Sequence, residues 1–176
     1  VQQIIPLPEA QEYQVQLREK EQAGRKVRVE KNNEFSRFWE GLLVLARERQ
    51  TRHAHLKPGT QHWIGTTSGI RGLVFNYVIV RGYGAVELYI DRGDGDENKL
   101  IFDRLHALRP EIEARFGAKL SWERLDARRG CRIKYSLDLG GYRIPEVEWT
   151  ALQSAMIEAM ARLEAALKPA LDSLDL

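Results

Sequence analysis

Apolar and polar positions change their period several times along the chain, and each change predicts an element. Phe35, Phe38, Trp39, Leu42, Leu45 and Ala46 recur at three- and four-residue spacing, the pattern of a helix with one apolar stripe. Asn33, just ahead of them, has a side chain suited to capping, so the spacing predicts a helix from Asn33 to about Gln50. After a loop holding His53, His55, Pro58 and Gly59, Trp63 and Ile64 open a short strand. The segment GLVFNYVIV lacks strict alternation and reads as a strand covered on both faces. RGYG supplies turn residues, and AVELYID then alternates cleanly: Val86, Leu88 and Ile90 face one way, Glu87, Tyr89 and Asp91 the other. Two strands joined by a Gly-rich turn predict an antiparallel hairpin.

In DRGDGDENK, turn glycines precede acids that satisfy and charge-balance the start of a helix. Ile101, Leu105, Leu108, Ile112 and Phe116 line that helix; Pro110 is expected to kink or restart it and Gly117 to end it. LSWERLD and GCRIKYSLD form a second hairpin turning near Ala127 to Gly130, with Cys131, Ile133, Tyr135 and Leu137 on the face opposite Arg132, Lys134 and Ser136. A long helix begins near Pro145, striped by Trp149, Leu152, Met156, Met160, Leu163, Leu167, Leu171 and Leu174, with Pro169 placed to bend its end. The order predicts an α+β fold: a mostly antiparallel sheet of about five strands, with an N-terminal, a central and a long C-terminal helix packed on it.

Composition changes this picture chiefly at the N-terminus. The 176 residues, 43% of them apolar, suffice for one core, and residues 33–176 carry the patterned segments. Residues 1–32 read as an arm or linker: Pro6 and Pro8, then a polar run whose Arg25, Lys26, Arg28 and Lys31 are diluted by Glu19, Glu21 and Glu30. The arm reads as a connection to a further domain. The net charge of +2 permits contact with a polyanion without demanding it. One cysteine, Cys131, excludes an intrachain disulfide, and no signal-type or membrane-length apolar run is present. The expectation is a cytoplasmic protein with no membrane partner.

The segments AVELYIDRGDGDENKLIFD and IEARFGAKLSWERLDARRGCRIKYSLD, with FWEGLL before and AMARLEAALKP after, resemble domain of unknown function 4268 from about Phe35 to Leu174. The resemblance implies a setting in the C-terminal halves of bacterial and archaeal proteins whose N-terminal halves look like restriction-type nucleases or defence modules. Nuclease chemistry would then lie in an upstream domain. The family brings no catalytic residues to transfer.

Three candidate chemistries remain. Arg124, Arg128, Arg129, Arg132 and Lys134 form the densest basic feature, which Arg71, Arg92 and Lys99 extend, and a hairpin presenting these cations could contact DNA or RNA phosphates. Tyr135 lies opposite Arg132 and Lys134, which favours core packing over base stacking for it. The face shared by Glu87, Tyr89, Asp91, Arg132 and Lys134 is either a groove for a polar ligand or a cross-strand salt ladder. Glu87, Asp91 and Lys134 are the residues a divergent metal nuclease would use, but no Asp followed by a strand-borne Glu-x-Lys stands at the spacing typical of restriction-nuclease folds. An EF-hand loop starting at Asp94 fails, with Lys99 at the glycine position and Leu105 at the bidentate position. His53, His55 and His62 have no nearby cysteine or carboxylate at ligand spacing, and SGIRG lacks the ending of a phosphate loop. The expectation is therefore a non-catalytic accessory module of a nucleic-acid-processing or phage-defence protein, needing no cofactor or metal. A protein-interaction or homodimerisation domain is the alternative, carried by the two amphipathic helices.

Overall fold

The computed structural model describes residues 8–174, with side chains from residue 14 onward. The element order is α1 Pro8–Glu48, β1 Trp63–Thr67, β2 Leu73–Ile79, β3 Gly84–Ile90, α2 Gly95–Ala107, α3 Arg109–Phe116, β4 Ser121–Glu123, β5 Cys131–Leu137 and α4 Glu146–Asp172. The five strands form one antiparallel sheet ordered β1-β2-β3-β5-β4. This is the α+β architecture that the periodicities predict.

One face of the sheet is apolar because strand parity sends Phe75, Tyr77, Val86, Leu88, Ile133 and Leu137 to the same side, where all are buried. The helices cover that side. Phe38 of α1 meets Trp149 of α4 edge-on at 5.3 Å, and Phe102 of α2 approaches Trp122 of β4 at 6.1 Å. Gln153 Nε2 donates to the Phe38 carbonyl at 2.8 Å, so a buried amide joins α1 to α4. The opposite side of the sheet points outward, with Trp63, Thr67, Ser121 and Ser136 exposed.

The central helix divides as Pro110 predicts. Leu108 separates α2 from α3, Pro110 sits in the first turn of α3, and Gly117 ends it at φ 83°, a left-handed conformation that glycine adopts without steric cost. Asp94 caps α2 by accepting from the Glu97 amide at 2.9 Å.

The N-terminal helix corrects the expectation at Asn33. Instead of capping a helix, Asn33 lies inside α1, which runs unbroken for 41 residues from Pro8. Gln, Glu, Lys, Arg and Ala dominate the preceding run, and these are strong helix formers despite their polarity. No proline interrupts the segment after Pro8, so composition that reads as linker propagates the helix instead. Residues 14–31 are exposed, whereas Phe35, Phe38, Trp39, Leu42, Leu43 and Ala46 enter the core. The boundary expected at residue 32 therefore falls within one helix; residues 1–7 of the expected arm, and 175–176, lie outside the described residues. Among the described residues, no helix is long and apolar enough to cross a membrane.

Candidate ligand site on the open sheet face

Strand directions gather the β1–β2 turn, the start of α2 and the β4–β5 hairpin at one end of the sheet, and with them most of the predicted cations. Each cation there has a local reason for its position. Arg92 bonds Glu97 at 2.6 Å and the Arg71 carbonyl at 3.0 Å, tying the two turns together. Arg129 makes a bidentate pair with Asp91 at 2.8 and 2.7 Å. That guanidinium first, aided by the Gly93 amide and Asn98, holds the Asp91 carboxyl below the usual carboxylate range. Arg124 pairs with Asp103 at 2.9 and 3.1 Å and also bonds Asp126. Lys99 turns inward: its Nζ donates to the carbonyls of Arg124, Leu125, Arg128 and Gly130 at 2.7, 3.1, 2.8 and 3.0 Å. Within this group, and among the described residues, only the Arg71 and Arg128 side chains make neither a salt bridge nor a hydrogen bond, since Lys99 is held by carbonyls. Both are exposed.

Arg132 and Lys134 belong to the open face of the sheet. Glu123, opposite Arg132 in the β4–β5 register, bonds Arg132 and lies 3.1 Å from Lys134 Nζ. Burial pushes the Glu123 carboxyl upward, but its bonds to these two cations outweigh burial and lower its pKa. This part of the predicted polar face is a cross-strand salt ladder.

Beside the ladder the sheet face is hollow. Register places Gly65, Asn76, Glu87 and Lys134 in one row across β1, β2, β3 and β5. Asn76 and Glu87 form the floor of a cavity of about 360 Å³, with Val74, Val78 and Tyr89 beside them, Arg132 on one side and His62 and Trp63 at the edge strand. Such a volume lies near the lower end of small-ligand sites, roughly 300–1,000 Å³. Glu87 is 5% exposed and Asn76 6%, whereas Trp63 is 45% exposed. Asn76 Nδ2 donates to Glu87 Oε1 at 3.1 Å. Glu87 Oε2 and Asn76 Oδ1 have no hydrogen-bond partner. The nearest cation to that carboxylate oxygen, Arg132 Nη1, stands 3.9 Å away, beyond hydrogen-bond reach. Both oxygens are buried and lack donors, an arrangement that costs free energy.

Gly65 makes this geometry attainable. A Cβ at Gly65 would lie 1.9 Å from Asn76 Oδ1, so the carboxamide occupies space that only glycine leaves free. Residue patterning finds Glu87, Tyr89 and Arg132 but misses Gly65, Asn76, His62 and Trp63. The available signal is Asn76 itself, a lone amide inside the apolar run LVFNYVI.

The nuclease grouping does not assemble. Glu87 and Asp91 are four residues apart along an extended segment, ~13 Å at strand rise, too far to share one cation bound at 2–2.6 Å. Asp91 is occupied by Arg129, and Lys134 by Glu123. Among the described residues, no three His, Cys, Asp or Glu side chains are placed to hold a metal. His53 is a core residue: its ring lies 4.5 Å from that of Tyr77, its Nε2 is 2.9 Å from the Phe75 carbonyl, and burial lowers its pKa to about 4. Burial raises the Cys131 thiol, which makes it a poor nucleophile.

No curated protein and no solved structure matches the chain. Residues 36–171, from α1 through nearly the end of α4, match the domain of unknown function DUF4268. The match takes in the whole sheet, the hollow face and the hairpin, and the chain belongs to the DUF4268 family.

Proposed function

We propose that the domain is a non-catalytic accessory module of a nucleic-acid-processing or phage-defence protein, and that it contacts single-stranded nucleic acid through the open sheet face. One observation carries this reading: a cavity on an uncovered sheet face is lined by the polar side chains of Asn76, Glu87 and Arg132, with an exposed tryptophan at its rim. Unstacked bases are recognised in this way, by hydrogen bonds to their edges and by stacking on aromatic rings. The hairpin end adds electrostatic attraction through Arg71 and Arg128, while its other cations are held by carboxylates or carbonyls. Cleavage chemistry belongs, in this reading, to a nuclease-like domain elsewhere in the polypeptide.

Binding of the purified chain to labelled single- and double-stranded DNA and RNA over a salt series tests the reading. Single strands should bind in preference to duplex. With two phosphate contacts the logarithmic salt slope should be shallow, about −1.4. Trp63→Ala should weaken binding by about 1–3 kcal/mol, the worth of one stacked base. Absence of single-strand binding at low salt, or binding indifferent to Trp63→Ala, overturns it.

A second reading, a protein-interaction or dimerisation domain, draws on the exposed stretch of α1. Val15, Val27 and Val29 are 52, 63 and 57% exposed there. Concentration-dependent sedimentation abolished by replacing these valines with serine would support it.

A further inference from the structure

We propose that the outer edge of β1 is a self-association surface, on which β1 of a second copy of this chain pairs antiparallel and joins the two sheets into one. The inference goes beyond the nucleic-acid reading and does not rest on it, because main-chain groups of an edge strand carry it.

The hydrogen bonds on the inner side of β1 fix what its outer side offers. The Ile79 amide donates to the His62 carbonyl at 2.8 Å, and the Ser68 amide donates to the Leu73 carbonyl at 2.9 Å. Between these two bonded pairs the register makes Ile64 and Thr66 the residues that exchange bonds with Tyr77 and Phe75 of β2. The amides and carbonyls of Trp63, Gly65 and Thr67 therefore point away from the sheet. Among the described residues one bond reaches them, from Arg52 Nη1 to the Thr67 carbonyl at 3.3 Å, and a carbonyl has a second lone pair to offer. Trp63 and Thr67 are exposed, so the row is left to water or to another strand.

The two edges of the sheet differ in how they are guarded. β4, at the far edge, is three residues long and carries Glu123, the short and charged form in which edges resist pairing. β1 is five residues long, WIGTT, with neither a charge nor a proline. Its sequence also suits its own copy. About a two-fold axis at Gly65, Gly65 faces the second copy's Gly65 and Trp63 faces the second copy's Thr67, so outward groups meet outward groups and no like charges meet. A side chain at Gly65 would collide with Asn76 Oδ1, so cover for this glycine has to come from another chain. The second copy's Trp63 stands diagonally across from it, within reach of an aromatic ring, and an indole laid over an edge glycine supplies that cover. Trp63 is 45% exposed in the single chain.

Amide exchange of the 176-residue chain is followed by NMR at ~50 μM and ~1 mM protein, with sedimentation over the same range. The amides of Trp63, Gly65 and Thr67 should exchange at least about tenfold more slowly at the higher concentration, while those of Ile64 and Thr66, already bonded to β2, change little. Thr67→Pro removes an amide that no group of the chain uses and sets its ring against the incoming strand, a change that edge strands tolerate. It should leave the fold intact and return the sedimenting species to monomer. If that variant does not fold, the exchange pattern of the native chain still decides. Self-association kept in Thr67→Pro but lost when Val15, Val27 and Val29 are replaced by serine places the interface on α1 and overturns the edge. A monomer at every concentration, or a dimer in which the three outward amides exchange as fast as in the monomer, overturns it too. Each of these outcomes leaves the nucleic-acid reading to its own test.

Discussion

Replacing Lys99 by Met tests the account of the hairpin most directly, because the two side chains have similar reach and differ chiefly in the ammonium. The group donates to carbonyls at 2.7, 2.8, 3.0 and 3.1 Å, spread over Arg124, Arg128, Gly130 and Leu125, and lies 3.3 Å from Cys131 Sγ. An ammonium has three protons, and a bond to a charged group contributes roughly 1.5–3 kcal/mol net. Three such bonds set an upper bound of ~9 kcal/mol. Arg128 and Arg129 are exposed, however, so water can reach part of the loop once the lysine is gone. The expected loss is then about 2–4 kcal/mol. Urea unfolding should show a lower midpoint with an unchanged slope, and amide exchange should accelerate across residues 124–131. Lys99→Arg should not restore the loss, since a planar fork cannot converge on carbonyls that a compact ammonium reaches together. A loss below about 1 kcal/mol, with hairpin exchange unchanged, would refute the account.

Buried His53 predicts a pH dependence. Its pKa is lowered from 6.5 to about 4 in the fold, so the unfolded chain binds the extra proton first; stability is complete above pH ~6.5 and falls as pH drops through 4, by about 3 kcal/mol in all. An NMR titration of the His53 ring should give a midpoint near 4, and flat stability from pH 6.5 to 4.5 would contradict the assignment. Gly65→Ala should displace the Asn76 carboxamide, cost about 1–3 kcal/mol, and make a subsequent Asn76→Ala nearly silent in a double-mutant cycle; additive losses would show that the two do not meet. Leu125 holds φ 55° in the hairpin, so Leu125→Asn should be tolerated and Leu125→Val should be worse by about 1–2 kcal/mol in thermal unfolding. Equal effects would mean that the turn relaxes readily.

The fold was largely legible because its signals are local. Alternation in AVELYID, the acids ahead of α2, Pro110 and Gly117 each act within a few residues, and the elements follow from them. Asn33 misled because a cap is defined by the backbone preceding it, and that backbone is already helical. The candidate site was legible only in part, for a different physical reason. A guanidinium can bind phosphate only to the extent that no carboxylate holds it, and the partners here are remote: Asp103 lies 21 residues from Arg124, and Asp91 lies 38 from Arg129. Counting arginines in WERLDARRGCRIKY therefore overstates the free charge. The converse holds at Asn76 and Glu87, whose side chains meet only because β2 and β3 pair in a particular register. A shift of one residue would send the carboxylate to the helix-covered face. The pairing of β4 with β5 likewise sets Glu123 against Arg132 and removes a free cation from the same face. Affinity on this surface should therefore follow the unpaired Arg71 and Arg128 rather than the arginine count, with a correspondingly shallow dependence on salt.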